Sequence, residues 1–138
     1  MNARHRILDT TAFSDLMKGH PRVVARLEEH GRANVRVPQP VLAEIRFGID
    51  RLDRSARRGR LQSRYDALQA ELVRCPWTDE VSEAFGRIKA LLARKGTALE
   101  DFDLAIAAHA LAHEGILVTS NRRHMTRVPS LETEDWSD

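Results

Sequence analysis

Asp9, Glu44 and Asp103 are the residues whose type and placement in this sequence can do chemistry. Asp9 follows Arg6-Ile7-Leu8, which reads as a short strand. Glu44 lies one turn into a helix that begins after Val35-Arg36-Val37. Asp103 lies in the first turn of a helix that leads to Ile116-Leu117-Val118. In parallel α/β folds, sites form beyond the carboxyl ends of the strands, and all three acids fall at such points. Three carboxylates gathered at one sheet edge repel one another unless a cation lies among them. A hard ion, Mg²⁺ or Mn²⁺, takes oxygen ligands octahedrally and keeps several waters. It can activate a bound water and neutralise charge developing on a phosphodiester. The fold permits the three acids to meet without requiring it. Each also has an ordinary role that suits it: Asp9 as a helix cap, Glu44 as a solvent-facing residue, Asp103 as a favourable charge at a helix N-terminus. Asp101 and Asp103 lie about 200° apart around a helix. Asp103 shares its face with Ile106, Ala107 and Ala110, so it is the one expected to face inward.

The elements that must position these acids can be read from the apolar spacing. Thr10 or Thr11 is expected to cap a helix with Phe13, Leu16 and Met17 on its inner face. Gly19-His20-Pro21 ends it, and Val23, Val24 and Leu27 mark a second helix closed by Gly31. Pro40 suits the first turn of a helix carrying Val41, Leu42, Ile45 and Ile49. An Arg-rich polar segment leads into Leu61, Tyr65, Leu68 and Leu72 at helical spacing. Residues 72–75 read as a third strand stopped by Pro76. Val81, Phe85, Ile88 and Leu92 mark a helix ending near Gly96, residues 102–111 another, and residues 131–133 a last extended piece. Ile116-Leu117-Val118 is apolar throughout, as in a sheet covered on both faces. This alternation predicts an α/β fold with a central, mainly parallel sheet flanked by helices, in a single domain over residues 1–138.

Composition narrows the function classes. With 138 residues the chain suits one domain with one core. No apolar run approaches the roughly 18 residues of a membrane helix, and no signal-peptide stretch follows the N-terminus. One cysteine, Cys75, excludes an intrachain disulfide. These features lead to an expectation of a cytoplasmic protein without membrane attachment. The net charge of +2 hides an asymmetry: residues 1–74 hold 15 Lys/Arg against 9 Asp/Glu, and residues 75–138 hold 7 against 11. Arg46, Arg51, Arg54, Arg57, Arg58, Arg60 and Arg64 make the densest basic stretch. Arginine forks suit phosphate oxygens, so a nucleic-acid backbone or an acidic protein is a natural partner. His109 and His113 stand i, i+4, but no glutamate follows His109 and neither faces Asp103; both read as packing or surface residues. Trp77 and Trp136 read as packing anchors.

The order and spacing of the pieces resemble the PIN-domain ribonuclease toxins, the VapC-like half of VapBC toxin–antitoxin modules. The matching pieces are Ile7-Leu8-Asp9-Thr10; the stretch from Val37-Pro38 through Glu44-Ile45; the stretch from Asp103-Leu104 through Leu111-Ala112; Leu117-Val118-Thr119-Ser120-Asn121; and Arg127-Val128-Pro129 before Glu134-Asp135-Trp136. The resemblance covers nearly the whole chain and implies a three-layer PIN-like fold. It implies that Asp9, Glu44 and Asp103 bind Mg²⁺ or Mn²⁺ and catalyse endonucleolytic cleavage of a structured RNA, a tRNA or an rRNA loop, by metal-activated water. It places Thr10, Ser120 and Asn121 near the site, Asn121 at the family's fourth polar position. Two departures stand out: His124-Met125 where the family often has an acid and Phe, and Thr11 where it often has Asn or Ser. Arg122, Arg123 and Arg46 are candidates to hold the RNA backbone. The resemblance also implies a cognate antitoxin whose peptide blocks the acidic site. It further implies a homodimer, for which the apolar helices around residues 45–49 and 61–72 are expected to supply a face. The alternative, motivated by the uncharged Ser120-Asn121 pair and His124, is a catalytically weak PIN domain that acts as an RNA- or protein-binding module.

Overall fold

The apolar runs are realised as the strands of one sheet in a computed structural model that describes residues 4–138; residues 1–3 of the expected domain lie outside the described part. β1 (Arg6–Leu8), β2 (Val35–Pro38), β3 (Val73–Cys75), β4 (Ile116–Val118) and β5 (Thr133–Glu134) lie in the order β3-β2-β1-β4-β5, every pairing parallel. Around the sheet run α1 (Thr10–Met17), α2 (Pro21–His30), α3 (Gln39–Asp50), α4 (Ala56–Glu71), α5 (Asp79–Lys95), α6 (Asp101–Ala112) and α7 (Arg122–Met125). The expected α/β class and parallel sheet are both found. A 3₁₀ turn at Arg32–Asn34 and the single turn of α7 were not expected, being too short to show a periodicity.

The strand order reverses beside β1. The chain lays β2 and β3 to one side, then returns to place β4 and β5 on the other. The crevice at such a switch point is where α/β sheets bind ligands, and the carboxyl ends of β1 and β4 open into it. Ile7, Leu8, Val35, Val37, Leu117 and Val118 bury the sheet. α6 is buried from Leu104 to Ala110, and four alanines let it lie close to its neighbours α3 and α5. That apolar surround is why its sequence shows no amphipathic stripe.

Of the caps open to α1, Asp9 is the one used, its Oδ1 accepting from the Ala12 N–H at 2.8 Å, whereas Thr10, offered as an alternative cap, is the first helical residue. In the helices expected to supply a dimer face, around residues 45–49 and 61–72, much of the apolar stripe lies inside the chain. Ile45 and Ile49 are buried, and Leu61, Tyr65 and Leu68 pack against the core. The exposed large apolar residues are Phe47, Val73, Trp77 and Phe102. Trp77 is thus only partly the packing anchor expected, while Trp136 is buried and stacks on His30 at 5.3 Å.

At the β5 edge, Glu134 accepts from Arg6 Nη2 at 2.8 Å and Nε at 3.3 Å, and from Trp136 Nε1 at 3.0 Å. Arg26 Nη2 stands 3.8 Å away. The Arg6 hydrogen bonds hold the Glu134 carboxyl down at about 2. Across the sheet end, Gly115 lets β4 approach β1: a Cβ there would sit 2.5 Å from Ile7 Cδ1 and 3.0 Å from the His5 carbonyl oxygen. Gly115→Ala is expected to destabilise by about 1–3 kcal/mol through this overpacking, read as a lower urea midpoint. An unchanged midpoint would show that β1 can yield.

Candidate active site

Asp9 sits where β1 stops and α1 begins, its backbone N–H donating to the Val118 carbonyl at 3.0 Å. Only 6% of its surface is exposed. Burial pushes its carboxyl up to about 6, with the negative charges of Asp103 and Asp15 adding to the effect. Hydrogen bonds from Thr119 and the Ala12 N–H act in the opposite direction without offsetting it. Asp103, in the first turn of α6, is half-buried and also raised, by burial first and then by the charges of Glu44 and Glu100. Glu44, on α3, accepts a 2.6 Å hydrogen bond at Oε1 from the Thr10 hydroxyl. The fold therefore brings the three acids into one electrostatic neighbourhood: Asp103 acts on Asp9, and Glu44 acts on Asp103. Asp101 faces outward and pairs with Lys89 at 3.0 Å.

The donor set is all oxygen, and the charges of Glu44 and Glu100 act on Asp103. That fits a hard divalent ion, which needs only a few carboxylates and keeps its waters. Among the described residues, no three His, Cys, Asp or Glu side chains lie close enough together to form a metal-binding group as they stand.

The loop after β4 forms the far wall. Ser120 is exposed. The Asn121 N–H donates to Thr119 Oγ1 at 2.9 Å, and Asn121 Oδ1 lies 2.5 Å from His124 Nδ1. His124 faces the site closely enough to lower the Asp103 pKa. Asn121 thus spends its side-chain carbonyl on His124. Arg122 Nε donates to Thr133 Oγ1 at 3.2 Å, and Arg123 is exposed. Arg46 is committed to Asp50 through Nε at 3.0 Å and Nη2 at 2.5 Å, with Tyr65 beneath its guanidinium.

Sequence reasoning passed over Thr119 and Asp15. Thr119 is fully buried and links Asp9 to the Asn121 backbone; a hydroxyl at a strand's carboxyl end was the available signal. Asp15 lines a small cavity with Thr119, Ser120 and Asp135, and only its reach to Asp9 marks it. His109 is buried in packing, its Nδ1 donating to the Ala105 carbonyl at 2.7 Å, and burial lowers its pKa. Cys75 is buried, its thiol pushed up to about 12 by burial, and is inert at neutral pH.

Comparison with known proteins gives the family. The PIN domain family model matches residues 6–131. Ribonuclease VapC2 of Rickettsia felis is 29% identical over 132 residues, covering 94% of this chain and 96% of the relative. The tRNA(fMet)-specific endonuclease VapC of Shigella flexneri is 30% identical over 135 residues, covering 95% and 97%. In structure, the chain matches the DNA-bound VapBC of Salmonella typhimurium with a TM-score of 0.87, at 26% identity, covering 97% of this chain and 99% of that one. VapBC2 of Rickettsia felis, bound to a promoter DNA fragment, gives 0.85 at 28% identity, covering 95% and 98%. With the family model matching residues 6–131 and a VapC relative 30% identical over nearly the full length of both chains, the chain belongs to the PIN-domain family, in its VapC-type ribonuclease branch.

Proposed function

We propose that this VapC-type protein is a Mg²⁺- or Mn²⁺-dependent endoribonuclease that cuts a structured RNA, a tRNA or an rRNA loop, as the toxin of a type II toxin–antitoxin pair. The observation that carries this reading is the burial of Asp9 at the carboxyl end of β1, with Glu44 hydrogen-bonded to the neighbouring Thr10 and Asp103 in the first turn of α6 near enough for the charges to act on one another. Charges held together against repulsion and burial suit a site completed by a dication.

Asp9 and Asp103 would hold the ion, and Glu44, oriented by Thr10, would hold one of its waters. The bound ion supplies an activated water and charge neutralisation at the phosphate. The Ala12 N–H holds the Asp9 carboxylate at 2.8 Å, with the Thr119 hydroxyl beside it. Asn121 orients His124 toward Asp103, and Ser120 borders the same opening. Arg122 and Arg123 flank it as cations for the RNA backbone; Arg46, bound to Asp50, contributes less than its sequence position implies.

The VapBC assemblies this chain resembles support a cognate antitoxin as partner. An antitoxin cation reaching Asp9, Glu44 or Asp103 would compete with the metal. The reading includes a homodimer and a cytoplasmic site of action; no helix among the described residues is long and apolar enough to cross a membrane.

The test is cleavage of total tRNA and of ribosomal RNA by the purified protein, with Mg²⁺, Mn²⁺ or EDTA, beside Asp103→Asn and Glu44→Gln. Cleavage that needs metal and falls by roughly 10²–10³-fold in Asp103→Asn is expected. Equal cleavage by all three proteins would overturn the enzyme reading. The second reading, an RNA- or protein-binding module, is favoured by one observation, the imidazole of His124 where the family often places an acid. RNA bound tightly but left intact in every metal would establish it.

A further inference from the structure

The outer face of α3 runs from the acidic site to the most basic surface of the chain. Glu44, Phe47 and Arg51 are spaced i, i+3, i+7 and so lie along one stripe of the helix. Phe47 is the most exposed large apolar residue described, at 68%. Arg51 lies about 10 Å along the axis from Glu44, at 1.5 Å per residue. Beyond it, the turn into α4 carries Arg54, Arg57 and Arg60. All four of these arginines are exposed, and among the described residues none takes part in an ion pair or side-chain hydrogen bond. Asp50 is already engaged by Arg46 and Arg58, which leaves Asp53 as the one uncommitted acid in this turn. The first turn of α4 holds no acid, so its cations meet the positive end of the helix dipole with nothing to balance them. Apart from Phe47, residues 48–60 expose no large apolar side chain. Protein interfaces have a more apolar centre than this stretch of chain offers; one exposed aromatic followed along the chain by a run of arginines fits single-stranded nucleic acid.

We propose that this face is an RNA track: Phe47 stacks a base of the strand adjoining the cleaved bond, and Arg51, Arg54, Arg57 and Arg60 hold the phosphates that follow. The inference rests on the ribonuclease reading for its orientation, since the track begins at Glu44. Base stacking supplies sequence-tolerant affinity, while each phosphate neutralised adds to the salt dependence. The track thus concerns RNA that reaches the site as a loop or single strand.

The test uses the full chain in an Asp103→Asn background, so that the RNA stays intact, with a fluorescent 20-nucleotide unstructured RNA titrated by anisotropy at several salt concentrations. The combined variant R54Q/R57Q/R60Q is expected to flatten the slope of log affinity against log salt by about 2, at roughly 0.7 per phosphate contact. R54K/R57K/R60K is expected to restore it. Phe47→Ala is expected to weaken binding roughly tenfold with the slope unchanged, and Phe47→Trp to recover the affinity. Unchanged affinity and slope in both the glutamine and alanine variants would overturn the track. So would a Phe47→Ala protein that binds RNA normally but changes its oligomeric state, which would make Phe47 a contact between copies. So would arginine variants that lose binding to polyglutamate while keeping RNA, which would point to an acidic protein. If the parent protein, with Asp103 intact, cleaves nothing while these binding shifts appear, the ribonuclease reading fails and the track stands.

Discussion

Asp9→Asn is expected to lower RNA cleavage by at least about 10²–10³-fold while making the metal-free fold more stable near pH 7 by about 2–3 kcal/mol. The two effects have one cause. The Asp9 carboxyl is buried and pushed up to about 6 from an ordinary 3.8, so ionising it is harder in the folded chain than in the unfolded one. The folded state binds the proton more tightly; the stability this provides is fully present below pH 3.8 and is lost as pH rises to about 6. Asparagine is a good helix cap and carries no charge, so it keeps the bond to the Ala12 N–H without the penalty. Urea unfolding in EDTA should show the parent protein losing stability between pH 4 and 6. The variant should lose most of that slope, the remainder coming from Asp103. Mg²⁺ or Mn²⁺ should stabilise the parent far more than the variant. Parallel pH curves for the two proteins would show that the buried charge is not the source.

Glu134→Ala is expected to act in the opposite direction, destabilising by about 2–3 kcal/mol. Arg6, whose side chain is 18% exposed, would lose both of its bonds to the carboxylate. Trp136 Nε1 would lose its acceptor, and Arg26 would face Arg6 with no anion between them. The pH dependence also reverses. Glu134 is held down at about 2 from an ordinary 4.5, so its contribution is present above pH 4.5 and is lost as pH falls toward 2. The two carboxylates thus give opposed acid limbs, and the lowered pKa of buried His109 and of His30 adds a further loss of stability as pH falls below the ordinary imidazole range. Thermal melts across pH 2–8 check both limbs. A Glu134→Ala protein that melts with the parent at pH 7 would mean that water already solvates this edge.

What the sequence made legible was the punctuation of the fold. Asp9, Glu44 and Asp103 could be picked out because strand ends and helix starts were marked by Pro40, Gly115 and the Ile116-Leu117-Val118 run. What it left dark depends on neighbours distant in the chain. Thr119 gains its role only because β4 lies beside β1 and delivers its hydroxyl to Asp9. The cap of α1 stayed open among Asp9, Thr10 and Thr11 because all three are competent caps in succession, and the structure gives it to Asp9. An apolar stripe announces burial without saying against what, so Ile45 and Ile49 suited an expected interface and turned out to be core. Arg46 was named as a phosphate ligand although Asp50 stands four residues on, the spacing at which helical ion pairs form. The shared neighbourhood of the three acids is a property of topology, and no local pattern contains it.

The sheet order also sets a timetable. β1 is made before its partner β4, which completes its end of the crevice and pairs Leu117 with Ile7 across a long stretch of chain. Thr119, Asn121 and His124 follow β4, and the closure of so long a loop comes late in folding. A chain that stops before β4 therefore carries Asp9, Glu44 and Asp103 without the strand and loop that close the crevice around them.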